Sequence, residues 1–314
     1  MARYLLCAGA VIVMLAACGS PQPVPGGAAE VRPASSSGNE LLYVTDWKAG
    51  KILVFTYPAG PLVQSIDDNQ YPLGLCSDAE GNIWVMNFGG GSNQVIEYAH
   101  GGTTPIATLN DAYGEPRSCS VDRISGSLAV VNPSPPGIVI YPSGSGSPQA
   151  YSPELEYPFA CAYDASGNLF VDGYHLHDGD HLRLSELARG GAHFERVSVK
   201  GTVGLPGDVK WDGADLAIAD YQSPGVIYRL QILHRKKVAV LVGTTTLDGP
   251  TRQAPEGVEF SLDQGTLIMP FGDQKNVNKI GFWNYPGGGY YTSKLTRFGG
   301  EELFGVAVSA LPSR

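Results

Sequence analysis

Three of the chain's six histidines, His175, His177 and His181, stand together in GYHLHDGDHLRL (173–184) around an Asp-Gly-Asp. Imidazole nitrogens beside carboxylates form the donor set of a zinc-like ion, and carboxylates alone suit calcium. An Asp178-Gly179 dipeptide is also a strong signal for a two-residue hairpin turn, whose central residues both need positive φ. With that turn, His177 pairs with Asp180, Leu176 with His181 and His175 with Leu182. Alternation along the strands then gathers His175, His177 and Asp180 on one face and sends His181 to the other. Those three residues could hold zinc with one position open, or Asp178 and Asp180 could hold calcium. A polar hairpin tip without metal is the competing reading and the preferred one.

Two further sets carry chemistry. Asp46, Asn87, Asn132 and Asp220 stand at the ends of equivalent apolar segments, with Asp172 one place out of step. They read either as a polar ring around a ligand or as caps that bind the backbone of the following turn, and capping is preferred because the pattern repeats. Arg117, Glu256 and Asp208 precede or begin other apolar segments and are the remaining binding candidates. Trp47, Phe88, Tyr174 and Tyr221 follow the polar set and could make a platform for sugars or peptides. Tyr57, Tyr98, Tyr141 and Tyr285 recur at a different point of the pattern and read as packing residues.

Where these residues meet depends on the elements that carry them. YPLGLCSDAEGNIWVMN (71–87), EPRSCSVDRISGSLAVVN (115–132) and YPFACAYDASGNLFVDG (157–173) share a proline, a short strand, an Asp, a glycine turn and a second strand. LPGDVKWDGADLAIAD (205–220) and APEGVEFSLDQGTLIMP (254–270) are weaker copies. A third strand follows each, as in IEYAHGG (96–102) and IVIYPSG (138–144), and then a shorter fourth, as in PIATLN (105–110). Four strands recurring every 40-odd residues predict an all-β propeller. The region opens with only three strands, and the orphan FGVAVSA (304–310) matches the innermost strand of the other copies. It is expected to complete the first blade, giving six four-stranded blades closed by the C-terminal strand.

YVTDWKAGKILVF (43–55), with its Tyr-Val-x-Asp opening, and the P-x-G and D-x-x-G-N-L segments resemble NHL and YVTN repeats and the SMP-30/gluconolactonase-like six-bladed propellers. A gluconolactonase-like enzyme would hold a divalent metal on the axis with Glu, Asn and Asp. Carried onto this chain, that implies Glu256, Asp208 and Asn132. Glu256 lies in the last full blade rather than the first, and the family's other motifs are out of register. The chain is therefore read first as a non-catalytic binding or scaffolding module for a protein or carbohydrate, without cofactor. A metal-dependent lactonase or esterase-like hydrolase is the alternative. Signatures of WD40 blades and quinone-dependent dehydrogenases do not occur, nor do nucleotide-binding or nucleophile-elbow motifs.

The N-terminus places this propeller. Residues 1–17 combine Arg3, an apolar run too short to span a bilayer and small residues, which is the pattern of a signal peptide. Leu15-Ala16-Ala17-Cys18 resembles the bacterial lipobox, which implies that Cys18 is acylated. Residues 18–38 are rich in Pro, Gly, Ser and Ala and read as a flexible tether to the propeller at 39–314. Gly19 after the cysteine favours the outer membrane of the cell envelope. A net charge of −9 and a pI near 5.1 argue against nucleic acid as partner. Cys119 and Cys161 stand three residues before their repeat Asp and are expected to be buried thiols, with a bridge between them as the alternative. Cys76, two before its Asp, is expected to face the other way and stay free.

Overall fold

The computed structural model describes residues 40–68, 70–88, 93–175, 181–223, 225–249, 259–272, 277–296 and 302–312. His177, Asp180, Glu256, Cys18 and the leader and tether lie outside the described residues. Among the described residues, no helix is long and apolar enough to cross a membrane.

The strands sort into antiparallel sets of four. The first set has β1 (Leu41–Asp46), β2 (Lys51–Thr56) and β3 (Leu62–Asp67). The second has β4 (Pro72–Ser77), β5 (Ile83–Asn87), β6 (Gln94–Tyr98) and β7 (Pro105–Asn110). The third has β8 (Ser118–Val121), β9 (Leu128–Pro133), β10 (Pro136–Tyr141) and β11 (Gln149–Tyr151). The fourth has β12 (Tyr157–Tyr163), β13 (Leu169–Tyr174), β14 (Arg183–Leu187) and β15 (Glu195–Lys200). The fifth has β16 (Pro206–Trp211), β17 (Leu216–Asp220), β18 (Val226–Leu233) and β19 (Val238–Asp248). The sixth has β20 (Ser261–Asp263), β21 (Thr266–Gly272), β22 (Val277–Asn284) and β24 (Ser293–Leu295), with the two-residue β23 (Gly289–Tyr290) beside β19. The last strand, β25 (Leu303–Ser309), pairs antiparallel with β1 from Leu41–Ser309 to Asp46–Leu303, so the C-terminal strand completes the first set as the repeat count required.

The repeated Asp and Gly build the turns between first and second strands. Asp78 Oδ1 accepts the N–H groups of Glu80 at 3.0 Å and Asn82 at 2.8 Å, and Asp164 Oδ1 accepts those of Ser166 at 2.8 Å and Asn168 at 2.9 Å. Gly81 and Gly167 follow at φ of 86° and 82°, where a side chain would be strained. The second strands β5 and β17 are buried throughout and apolar except at their last residue, whereas the outer β7 is half exposed and alternates. That gradient follows from packing faces against neighbouring blades near the axis while the outer edge meets water. Side chains such as Ile83, Met86, Phe170 and Trp283 fill the inter-blade cores, each contributing about 1.5–3 kcal/mol by leaving water.

One expectation needs correction. Cys76 is not free: it is bridged to Cys119, with their Cα atoms 5.8 Å apart, while Cys161 is a buried free thiol. Two residues can meet across a blade interface only if one points forward and the other back. Cys119 and Cys161 share a parity and both face the same way round the ring, whereas Cys76, of opposite parity, faces Cys119. The sheets also come closer at the axis than the ~10 Å of parallel packed sheets. β13 and β14 pair Asp172 with Leu184 and Gly173 with Arg183, and the histidine hairpin expected beyond them falls on residues 176–180, outside the described residues.

The fourth and fifth sets share one nine-stranded sheet. β15 leaves β14 after Val197 and runs parallel to β19, Ser198–Lys200 against Val238–Val240. Farther along, β19 pairs with β23, Leu247 with Gly289. This long strand laces three sets together at the circumference.

Candidate functional site

The inner strands converge on a charged network. Asp208 and Lys210 lie two apart on β16 and so share a face, with the Lys210 Nζ 3.0 Å from Asp208 Oδ1. The other oxygen, Oδ2, accepts the Phe260 N–H at 2.9 Å from the start of the sixth set. Glu259, next to it, accepts the Leu75 N–H of β4 at 2.8 Å through Oε2. Asp172 Oδ1 accepts the Ala160 N–H at 2.9 Å. Burial pushes the Asp208 carboxyl up to about 7; Lys210 pulls it down, and the charge of Glu259 raises it again. Asp172 is held well above the carboxylate range by burial, helped by Asp208 and opposed by the Ala160 N–H, Arg117 and Lys210. Burial works against the Lys210 ammonium, yet Asp208 and Glu259 together hold it above its ordinary value. Burial also raises the nearby Cys161 thiol, which keeps it protonated and unreactive at neutral pH.

Arg117 is buried among residues of other sets. Its guanidinium lies 3.8 Å from the Phe159 ring centroid and 5.6 Å from that of Phe304, and its Nη1 donates to the Tyr157 hydroxyl at 3.4 Å. Phe159 belongs to the fourth set and Phe304 to the first, so the cation is caught between rings from different sides of the axis.

The polar set is buried throughout, and its members do different work. Asp46 Oδ1 accepts the Ala49 N–H at 3.0 Å, and Asp220 Oδ1 accepts those of Gln222 and Ser223 at 2.9 and 3.1 Å, which is turn capping. Asp220 also takes the Tyr228 hydroxyl at 2.8 Å. Asn132 instead donates to Asp111 Oδ2 at 3.0 Å, and Asn87 lies fully buried at the end of β5. Of the residues implied for a lactonase-like metal, Asp208 is bonded to Lys210 and Phe260, Asn132 is bonded to Asp111, and Glu256 is outside the described residues. Among the described residues, no three His, Cys, Asp or Glu side chains form a metal-holding group. Lys210 already supplies the positive charge beside Asp208. His175 lies 3.7 Å from Glu156 through Nδ1.

Aromatic residues of the fourth and fifth sets are linked by ring contacts. Tyr174 stacks on Tyr157 at 5.2 Å, Tyr157 touches Phe159 at 6.3 Å, and Phe159 meets Tyr221 edge-on at 5.7 Å. Trp47 contacts the exposed Tyr71 at 6.5 Å elsewhere. Tyr174, Tyr221 and Trp47 had been singled out by their place after the polar set. Tyr157, Phe159, Lys210 and Glu259 were missed. The signal for Lys210 was its i+2 spacing from Asp208, which puts both on one strand face, but nothing local said that face met Glu259.

No protein-family model and no curated protein matches the chain. Solved structures do. A chain from the crystal structure of a nidogen/laminin complex superposes with a TM-score of 0.65 at 12% identity, over 86% of this chain and 98% of that one. The fold is a β-propeller. A functionally unknown protein from Desulfotomaculum acetoxidans DSM 771 matches with a TM-score of 0.61 at 11% identity, over 86% and 99% of the two chains. A protein of unknown function from Bacteroides caccae matches with a TM-score of 0.62 at 14% identity, over 86% and 99%. At these identities the likeness carries the fold alone.

Proposed function

We propose that this propeller is a six-bladed, non-catalytic binding module that takes a carbohydrate or protein ligand on its rim and is held at the cell envelope by a lipid on Cys18. The observation that carries the reading is the linked arc Tyr174, Tyr157, Phe159 and Tyr221, with Arg117 packed on Phe159. Half-buried tyrosines present flat apolar faces with a polar tip, which suits sugar rings and peptide side chains. Six sets of four strands support the blade number, and the Tyr-Val-Thr-Asp opening at 43–46 supports kinship with NHL and YVTN propellers. The chain from the nidogen/laminin complex belongs to a protein assembly, which agrees with a recognition role for this architecture. The lactonase-like alternative requires Glu256, Asp208 and Asn132 to converge on one ion.

Saturation-transfer NMR of the propeller with neutral cello-, malto- and chito-oligosaccharides, alongside capture of envelope proteins by the full chain, tests the reading. Tyr157→Ala is expected to weaken whichever contact is found by at least tenfold, with circular dichroism showing a folded, somewhat less stable propeller. The rim reading fails if neither ligand class depends on Tyr157. Cys18→Ala is expected to release the full chain from membranes, and continued membrane association would remove the anchor.

A further inference from the structure

The side of the fourth blade carries a fork in the sheet. β14 and β15 pair from Glu186–Glu195 to Leu184–Val197, and there the ladder ends. β15 continues against β19 on its other edge, where the Ser198 N–H donates to the Lys237 carbonyl at 2.9 Å. Backbone groups alternate edges along a strand, so the N–H of Val199 points away from β19 and into the gap facing β14. Among the described residues no ladder partner meets Ser198–Lys200 on that edge. The gap is a groove of about 450 Å³ running from His181 to Val203.

Charge marks the same groove. Among the described residues its walls present His181, Arg183, Arg196 and Lys200 and no carboxylate, on a chain of net charge −9. Arg196 and Lys200 are exposed and alternate with the buried Val197 and half-buried Val199 along β15. Glu154 shares the adjoining hollow with Arg183 and Arg196. An open strand edge offers hydrogen bonds to an extended backbone, and two cations four residues apart on one strand face read carboxylates at the same spacing.

We propose that this fork binds an extended acidic peptide segment of a partner protein by strand addition, with Val199 supplying the backbone contact and Arg196 and Lys200 the charge selection. The site is separate from the rim and does not depend on what the rim binds.

The test uses the full chain and a fluorescein-labelled octapeptide alternating Glu and Val, followed by fluorescence anisotropy at low and physiological salt. Saturable binding is expected, with at least a tenfold loss in the Arg196→Glu, Lys200→Glu double variant and a several-fold loss in Val199→Pro. Val199→Pro removes the N–H that faces the groove and leaves the Ser198–Lys237 bond in place. A backbone N-methylated peptide of the same charge is expected to lose binding. The proposal is overturned if the octapeptide does not bind, or if its Lys-Val counterpart binds equally. Full binding by the N-methylated peptide, or an equal response to a sulfated polysaccharide, would reduce the fork to a general anion surface and also overturn it. Binding seen only after Asp178→Asn and Asp180→Asn would assign the groove to the chain's own 176–180 segment and overturn the proposal in the same way. Circular dichroism of each variant separates lost binding from lost folding.

Discussion

The second and third blades are joined at the axis by one covalent bond, whereas the fourth and fifth are joined at the circumference by a strand. At the axis the inner strands bring Cα atoms within 5.8 Å, so two cysteines of opposite parity suffice. At the outer edge neighbouring blades diverge, and the span is covered by the eleven residues of β19 together with the turn before it. In that turn His234 Nδ1 lies 3.2 Å from Glu186 Oε1, and Lys237 Nζ lies 3.2 Å from Glu186 Oε2 and 3.4 Å from Glu195. Radial geometry therefore decides the kind of joint: short side-chain links near the axis, and backbone ladders with long charged side chains outside. The outer solution also leaves a consequence, because a strand lent to one neighbour is withdrawn from another, and the fork between β14 and β15 is where it was withdrawn.

The comparison can be broken at either end. The largest effect is expected at the axis. Replacing Cys76 and Cys119 by alanine opens a covalent link spanning 43 residues, and loop-closure entropy puts the loss at about 4 kcal/mol. Urea unfolding should show a lower midpoint with a steeper loss than any single change at the outer joint. An unchanged midpoint would mean the bridge adds nothing to the packed inner strands.

At the circumference, Ser198→Pro removes the donor to the Lys237 carbonyl and should cost roughly 2 kcal/mol. Hydrogen exchange should then quicken at 198–200 and 238–240 and stay slow on β5 and β9. A uniform rise across all blades would show instead that the outer joint is part of one global unit.

The smallest effect sharpens the electrostatic half of that joint. Lys237→Met leaves the buried Glu186 without its lysine partner, with His234 Nδ1 still 3.2 Å away, and about 1–2 kcal/mol should be lost, less in high salt because Lys237 is partly exposed. Burial disfavours the Lys237 ammonium, but Glu186 and Glu195 raise its pKa above the ordinary 10.5. A raised cation contributes fully below its unfolded value and is lost only as pH rises past the folded one. The difference between wild type and Lys237→Met should thus be flat from about pH 7 to about pH 9 and vanish only above about 10.5.

Much of the fold was legible because a propeller repeats. The Asp of each first turn, the glycines at positive φ and the apolar second strands follow from local rules, and β25 was identifiable because FGVAVSA matched strands whose partners were already counted. The site was less legible. Asp46 and Asp220 cap their own turns, a local act visible in sequence, whereas Asn132 reaches Asp111 and Asp208 reaches Phe260 across strands that no short pattern connects.

The sequence by itself determined which residues form strands, where the turns fall and that the last strand belongs with the first, since each depends on neighbours in the chain or on period. Only the tertiary structure decided that Cys76 meets Cys119, that Arg117 is caught between Phe159 and Phe304, and that β15 forsakes β14 for β19. Those outcomes depend on the parity of side chains facing across blade interfaces and on the narrowing of the ring toward its axis, and a linear pattern encodes neither.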